Sequence, residues 1–269
     1  MLALFLTQSA TGCLLALLLI PPRSAGRKFF RYTVGQSGAL LILAAVLSAG
    51  QSGSTRFGFL VTAAGASIVA AGLFHTGRFT AGSAAHIVAL IAGMALVVAD
   101  ALALIPTSDA SLMSRWHYPL DAVTGALTTG SALIAMILGH YYLNVPGLAI
   151  SHLQRLTLLL LAVLAARALV LGLSVARYRE SLMPLFTLLL DTRGQPIPES
   201  GLDPFVLVCL ILQVVFGVAA PAAFAFMAWR AARISSTQST TGILYVALIA
   251  VMMGELAGRY VVTLTGLPL

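Results

Sequence analysis

Long apolar runs alternate with short polar interruptions from one end of the chain to the other. The runs cover roughly 2–20, 33–50, 57–75, 83–105, 120–143, 151–175, 204–229 and 242–264. A helix needs about twenty apolar residues to cross the hydrocarbon of a bilayer. Each run therefore predicts one transmembrane helix. No stretch alternates with the period of two that marks a half-buried strand. The expected fold is all-α, a polytopic membrane bundle of about eight transmembrane helices forming a single domain over 1–269. The second and third runs are the shortest, parted only by Gln51-Ser52-Gly53-Ser54-Thr55-Arg56.

Two segments need separate treatment. The first twenty residues lack a basic leader, and Pro21-Pro22-Arg23 stands where a small-residue cleavage motif would be, so they are read as a retained span. The longest connection, about 176–203, contains an apolar stretch from Leu182 to Leu190 around Pro184. It is too short to span, and is either an interfacial helix or a re-entrant segment.

Composition agrees with lipid as the main solvent. Hydrophobic residues make up 59% of the chain and charged residues 9%, too few to cover a water-exposed surface. The net charge of +7 arises from bases scattered at helix ends, without the basic–aromatic clustering of a nucleic-acid interface. Fourteen of the fifteen bases are Arg, a bias that resembles a GC-rich bacterial genome. Cys13 and Cys209 lie in apolar runs and form no Cys-x-x-Cys, so neither a disulfide framework nor a thiolate metal site is signalled.

Loop charges orient the bundle. The 21–32, 76–82, 144–155 and 230–241 connections carry Arg23, Arg27, Lys28, Arg31, Arg78, Arg155, Arg230 and Arg233 and no acid. The opposite face carries Arg56, Arg115, Arg177, Arg179 and Arg193 against six acids. Counting bases alone, the first face is cytoplasmic and both termini lie outside. The expected location is a bacterial cytoplasmic (inner) membrane.

With the charges at run ends assigned to the loops, four ionisable residues remain inside the runs: Asp100, Arg167, Glu255 and Arg259. At depth a charge is retained only when paired or lining a wet cavity. Glu255 and Arg259 share a helix face at i, i+4, whereas Arg167 must find a partner across the bundle, with Glu255 or Asp100 the first choices. The set is either a packing ion pair or a proton path or headgroup site. Gln8 and Gln213 lie at comparable depth.

Histidines distribute differently. His75, His86, His140 and His152 all fall near run ends on the basic face, and His117 alone belongs to the other. Gly139-His140-Tyr141-Tyr142-Leu143-Asn144-Val145-Pro146 places an imidazole, two phenols and an amide at one helix end. Haem b needs imidazoles from two helices, which makes His140, His75, His86 and His152 candidate iron ligands. A quinone needs a donor near the interface with apolar walls for its tail, and His140 with Tyr141 and Asn144 offers one. No metalloprotease, Gly-x-Ser-x-Gly or P-loop pattern occurs, and no catalytic residue is assigned.

Eight spans, external termini and the ending Gly254-Glu255-Leu256-Ala257-Gly258-Arg259 resemble the DMSO reductase membrane anchor subunits, within the wider group of polysulfide reductase and NrfD-type anchors. Such anchors often close with Gly-Glu-Leu-x-Gly-Arg, and their first helix has a Gln shortly before a Gly, as in Gln8 to Gly12. A family His-x-Gly near the end of the second span contributes to the quinol site. His75-Thr76-Gly77 looks similar, but closes the third run here, on the opposite face. The resemblance implies electron exchange between the quinone pool and iron–sulfur or cytochrome subunits of a larger complex, with no chemistry on the terminal substrate. Two alternatives stand beside it: a small-solute or ion transporter using Asp100, Arg167 and Glu255, and a purely structural membrane subunit.

The eight-span topology predicts that single cysteines introduced at Ser24 and Ser200 react with an impermeant thiol reagent from opposite faces. Labelling of both from one side refutes it.

Overall fold

Lipid offers no partner to a backbone N–H or C=O, so each apolar run must close its hydrogen bonds internally. The computed structural model describes residues 1–49, 53–106, 111–145, 148–180, 182–183 and 204–268. In chain order they form α1 (Leu2–Ala16, continued by a 3-10 turn at Leu17–Leu19), α2 (Pro22–Leu47), α3 (Ser54–His75), α4 (Phe79–Ala103), α5 (Leu112–Asn144) and α6 (Ser151–Arg177). Then follow α7 (Pro204–Val214), a π-helical turn at Val215–Ala219, α8 (Ala220–Arg233) and α9 (Thr237–Thr265). With α7, the π turn and α8 counted together as Phe205–Arg233, eight helices are long and apolar enough to cross a membrane. No strand occurs among the described residues. The fold is thus an all-α membrane bundle. The apolar stretch expected at 182–190 lies outside the described residues except for Leu182, which is buried with Val206 and Val261, and Met183.

Two helices start more than two turns earlier than hydropathy suggests. α2 begins at Pro22 rather than 33, and is broken at Gly26, whose φ of 85° lies outside helical space. Its basic turns remain helical because Arg and Lys stems lie along apolar surface while the charged heads reach water. α5 begins at Leu112 rather than 120, where the Ser111 side chain accepts a hydrogen bond from the Ser114 N–H at 3.3 Å. The early start turns Leu112 to Pro119, read from hydropathy as loop, into two turns of helix.

The bundle is apolar outside and partly polar inside. Leu169 (76% exposed), Val46 (64%) and Ile91 (63%) face outward, whereas Thr7, Gln8, Ser9 and Thr11 of α1 are buried. Many interior hydroxyls bond their own helix: Thr124 Oγ1 donates to Leu120 O and Thr128 Oγ1 to Thr124 O, both at 2.8 Å. Such back-bonds satisfy the hydroxyl without a second helix.

α1 and α5 occupy the centre, where 67% and 72% of their spans are buried. They touch through glycine. A Cβ on Gly12 would stand 1.8 Å from Ala126 O, and one on Gly130 would stand 2.0 Å from the Gly12 carbonyl carbon. Small residues let helix backbones approach closely where lipid provides no hydrophobic drive. Both termini reach one face: Leu4 and Pro268 line the same crevice, and the Tyr118 hydroxyl donates to Gly266 O.

Gly130→Leu is expected to abolish assembly or lower stability by more than the ~1–3 kcal/mol typical of overpacking, because backbone rather than a flexible side chain fills the site. Gly65, with nothing within 4 Å of an added Cβ, should accept Ala with a change under about 1 kcal/mol. Thermal unfolding of both variants in detergent checks the contrast.

Candidate functional site

The site begins with a charge in a place where water is scarce. Arg167, two-thirds along α6, is 1% exposed and the largest fully buried side chain. Its Nε donates to Glu255 Oε1 at 2.9 Å and its Nη2 to Glu255 Oε2 at 3.3 Å, a planar fork on one carboxylate of α9. Its Nη1 donates to Asp121 Oδ1 and, at 3.3 Å, to Asp121 O of α5. Arg259 meets the same two acids: Nη1 donates to Asp121 Oδ2 at 3.0 Å and Nη2 to Glu255 Oε2 at 3.5 Å. Two guanidinium and two carboxylate groups therefore close a four-membered ring in which each cation contacts both anions. The ring joins α5, α6 and α9 and carries no net charge.

Glycines give the ring its room. Gly125, one turn beyond Asp121, would place a Cβ 2.5 Å from Arg259 Nη2 and 2.6 Å from Glu255 Oε2. Gly258 lies against the Gln213 amide of α7, which a Cβ would approach to 2.8 Å. Gly254 meets the π turn, where a Cβ would stand 2.1 Å from Gly217 Cα.

The ring opens on a crevice toward the face that holds both termini. Gln8, Asp100, Tyr118, Asp121, Arg259 and Thr263 are its polar lining, among apolar walls such as Ala101 and Val262. About 10 Å³ of it is free, room for one water. Arg259 Nε is buried without a hydrogen-bond partner among the described residues. Asp100 does not belong to the ring: Arg56 of α3 forks onto it, Nε to Oδ1 at 2.7 Å and Nη2 to Oδ2 at 3.1 Å.

Arg167 thus meets Glu255, one of its two expected partners, and not Asp100. Asp121 was missed: hydropathy starts the fifth run at 120 and leaves this carboxylate among the outer-face acids. The signal that finds it is the Ser111 cap, which sets the start of α5 more than two turns before Asp121. Arg259 and Glu255, read as a local i, i+4 pair, make the longest edge of the ring, and each has a shorter bond to another helix.

The four histidines of the opposite face do not gather. His75 is exposed, its Nδ1 2.7 Å from Arg31 Nη1. His86 is buried and donates Nε2–H to Leu14 O at 2.8 Å. His140 is exposed, with Tyr245 Oη 3.3 Å from its Nδ1. His152 is buried, and its Nδ1 lacks a partner. No hydrogen bond or ring contact links any two of them among the described residues. His75, His86 and His140 are engaged by three different neighbours because each run end packs beside a different helix. Tyr141 stacks obliquely near Phe29, with centroids 5.6 Å apart, and Asn144 Nδ2 donates to His140 O, one turn back, at 3.1 Å. Among the described residues no cluster of three His, Cys, Asp or Glu could hold a metal ion.

Comparison with protein-family models, characterised proteins and solved structures yields no match to this chain.

Losing one member of the ring leaves an uncompensated buried charge, which typically costs about 3–5 kcal/mol. Arg167→Leu, which strands two carboxylates on one cation, should destabilise or block assembly. Glu255→Gln keeps shape and hydrogen bonding and should cost less. Parallel unfolding midpoints and membrane yields decide the order; equal stability of Arg167→Leu and wild type refutes the role given to the ring.

Proposed function

We propose that this chain is the membrane anchor subunit of a respiratory oxidoreductase, passing electrons between the quinone pool and an iron–sulfur or cytochrome partner. The quinone-reactive end is read at the crevice of Gln8, Asp100, Tyr118, Asp121 and Arg259. The histidines of the basic face are not part of it. One observation carries the reading. The two segments that resemble the DMSO reductase anchors, Gln8 to Gly12 and Gly254 to Arg259, stand at opposite ends of the sequence, yet Gln8 and Arg259 line a single crevice. Their glycines seat the neighbouring helices, Gly12 on α5 and Gly258 on Gln213. Glu255 closes the ion ring with Arg259, and Gly254 seats the π turn.

Chemistry agrees with that placement. Quinone reduction takes up protons as well as electrons, and a water-sized crevice between Asp100 and Asp121 suits proton delivery to a headgroup docked at its mouth. The donors of Arg259 and Gln8 are groups that a quinone carbonyl accepts from. The bias of bases toward the opposite face puts this end on the outer side of a bacterial cytoplasmic membrane.

Binding of a fluorescent hydroxyquinoline N-oxide quinone analogue to the purified protein in nanodiscs tests the proposal. Wild type is expected to quench the probe, and Gln8→Leu to weaken binding by about tenfold, or ~1.4 kcal/mol, with thermal stability retained. A stable wild-type protein that neither binds the analogue nor co-purifies with quinone overturns it. Solute or proton flux in quinone-free proteoliposomes would instead support a transporter, and a b-type absorption band would return the redox group to the histidines.

A further inference from the structure

At the end of the bundle away from the charge ring, cations gather with no anion to hold them. Arg27, Lys28 and Arg31 of α2 and His75 of α3 line a cavity of about 210 Å³. Two left-handed glycines shape it. Gly26, at φ 85°, breaks α2 so that the helix resumes at Arg27. Gly77, at φ 79°, turns the chain out of α3 beneath Arg27, where a Cβ would stand 3.4 Å from Arg27 Nη1. Arg31 is held from two sides, by His75 Nδ1 at 2.7 Å and by the Tyr32 ring, whose centroid is 4.5 Å from its Cζ.

Such an arrangement is unfavourable by itself. Arg27 and Arg31 are like charges at i, i+4, which repel on a helix, and Lys28 lies beside them. The connections of this face carry no Asp or Glu that could compensate. An external anion removes the conflict. The cavity has room for a tetrahedral phosphate, and Arg guanidinium groups fork onto phosphate oxygens. The pocket stands at the lipid boundary: Tyr32 is 61% exposed, and Ile68, two turns below His75 on the same face of α3, is 52% exposed. An acyl chain has an apolar track directly beneath the cationic end.

We propose that Arg27, Lys28, Arg31 and His75 form a binding site for the phosphate of an anionic phospholipid. This site is separate from the quinone crevice, and neither depends on the other.

The test uses the full chain, purified from nanodiscs of equal phosphatidylglycerol and phosphatidylcholine, with bound lipid counted by native mass spectrometry. Wild type is expected to retain phosphatidylglycerol in preference. The triple variant Arg27→Gln, Lys28→Gln, Arg31→Gln should lose that preference by about tenfold or more. Arg230→Gln with Arg233→Gln, on the same face, should keep it. His75→Gln, which keeps a polar side chain, should weaken retention a few-fold, and it supplies the answer if the triple variant fails to assemble. Equal retention of the two lipids by wild type overturns the proposal, as does equal loss in both Arg-poor variants. Displacement of the lipid by millimolar inorganic phosphate would assign the pocket to a soluble phosphate and overturn the lipid reading.

Discussion

Everything in this bundle is arranged so that Arg167 is never without a carboxylate. A guanidinium stays charged at any accessible pH, and neither lipid nor a dry helix interface can solvate it, so the surrounding helices must supply the counter-charge in fixed positions. Asp121 and Glu255 supply it from α5 and α9. Two carboxylates on one Arg would leave an excess of negative charge, and Arg259 restores the balance. Neutrality and hydrogen-bond geometry together fix the azimuth of three helices. Turning any one of them would pull at least one charged group off two partners at once.

The requirement explains where backbone must come close. An ion ring has a fixed size, so the helices bearing it cannot be spaced by large side chains. Gly125 makes room for the ring itself, Gly258 for Gln213, and the Gly12–Gly130 contact brings α1 against α5 near the same level. Away from the ring large side chains fill the interior, Leu14, Leu17, Phe29, Phe30 and Phe74 among them, while Leu169, Val46 and Ile91 face outward, where lipid accepts any apolar shape. The interior around the ring is therefore specified by small residues and paired charges, and the exterior by little beyond hydrophobicity.

That division decides what the sequence discloses. Span number and fold class depend on long apolar runs, and the eight runs match the eight membrane-length helices. The need of Arg167 for an acid across the bundle was legible because a buried cation has no alternative. Its second partner was not. Asp121 looks like a loop residue because Arg115, His117 and Pro119 precede it, and hydropathy cannot see that Ser111 caps a helix through all of them. Asp100 misled in the opposite way: it lies in an apolar run, but the partner that claims it, Arg56, sits in a polar tip that reads as a loop and belongs to the first turn of α3. The histidines share a face but not a site, since topology fixes which end of a helix a residue occupies and says nothing about its azimuth.

Azimuth is also what the π turn at Val215–Ala219 controls. Pro221 has no N–H for the Gly217 carbonyl, so the chain widens there by one residue. The two halves of the seventh span are thereby clocked independently: α8 keeps its own contacts, while α7 is turned until Gln213 lies on Gly258. An α-helix advances about 100° per residue. Removing one residue from this turn would rotate α7 by that angle and carry Gln213 off Gly258 altogether, leaving α8 undisturbed. The widened turn is in effect an inserted residue, kept for phase and not for length. In a related chain it would show as a one-residue gap, and both Gln213 and Gly258 would be free to drift with it.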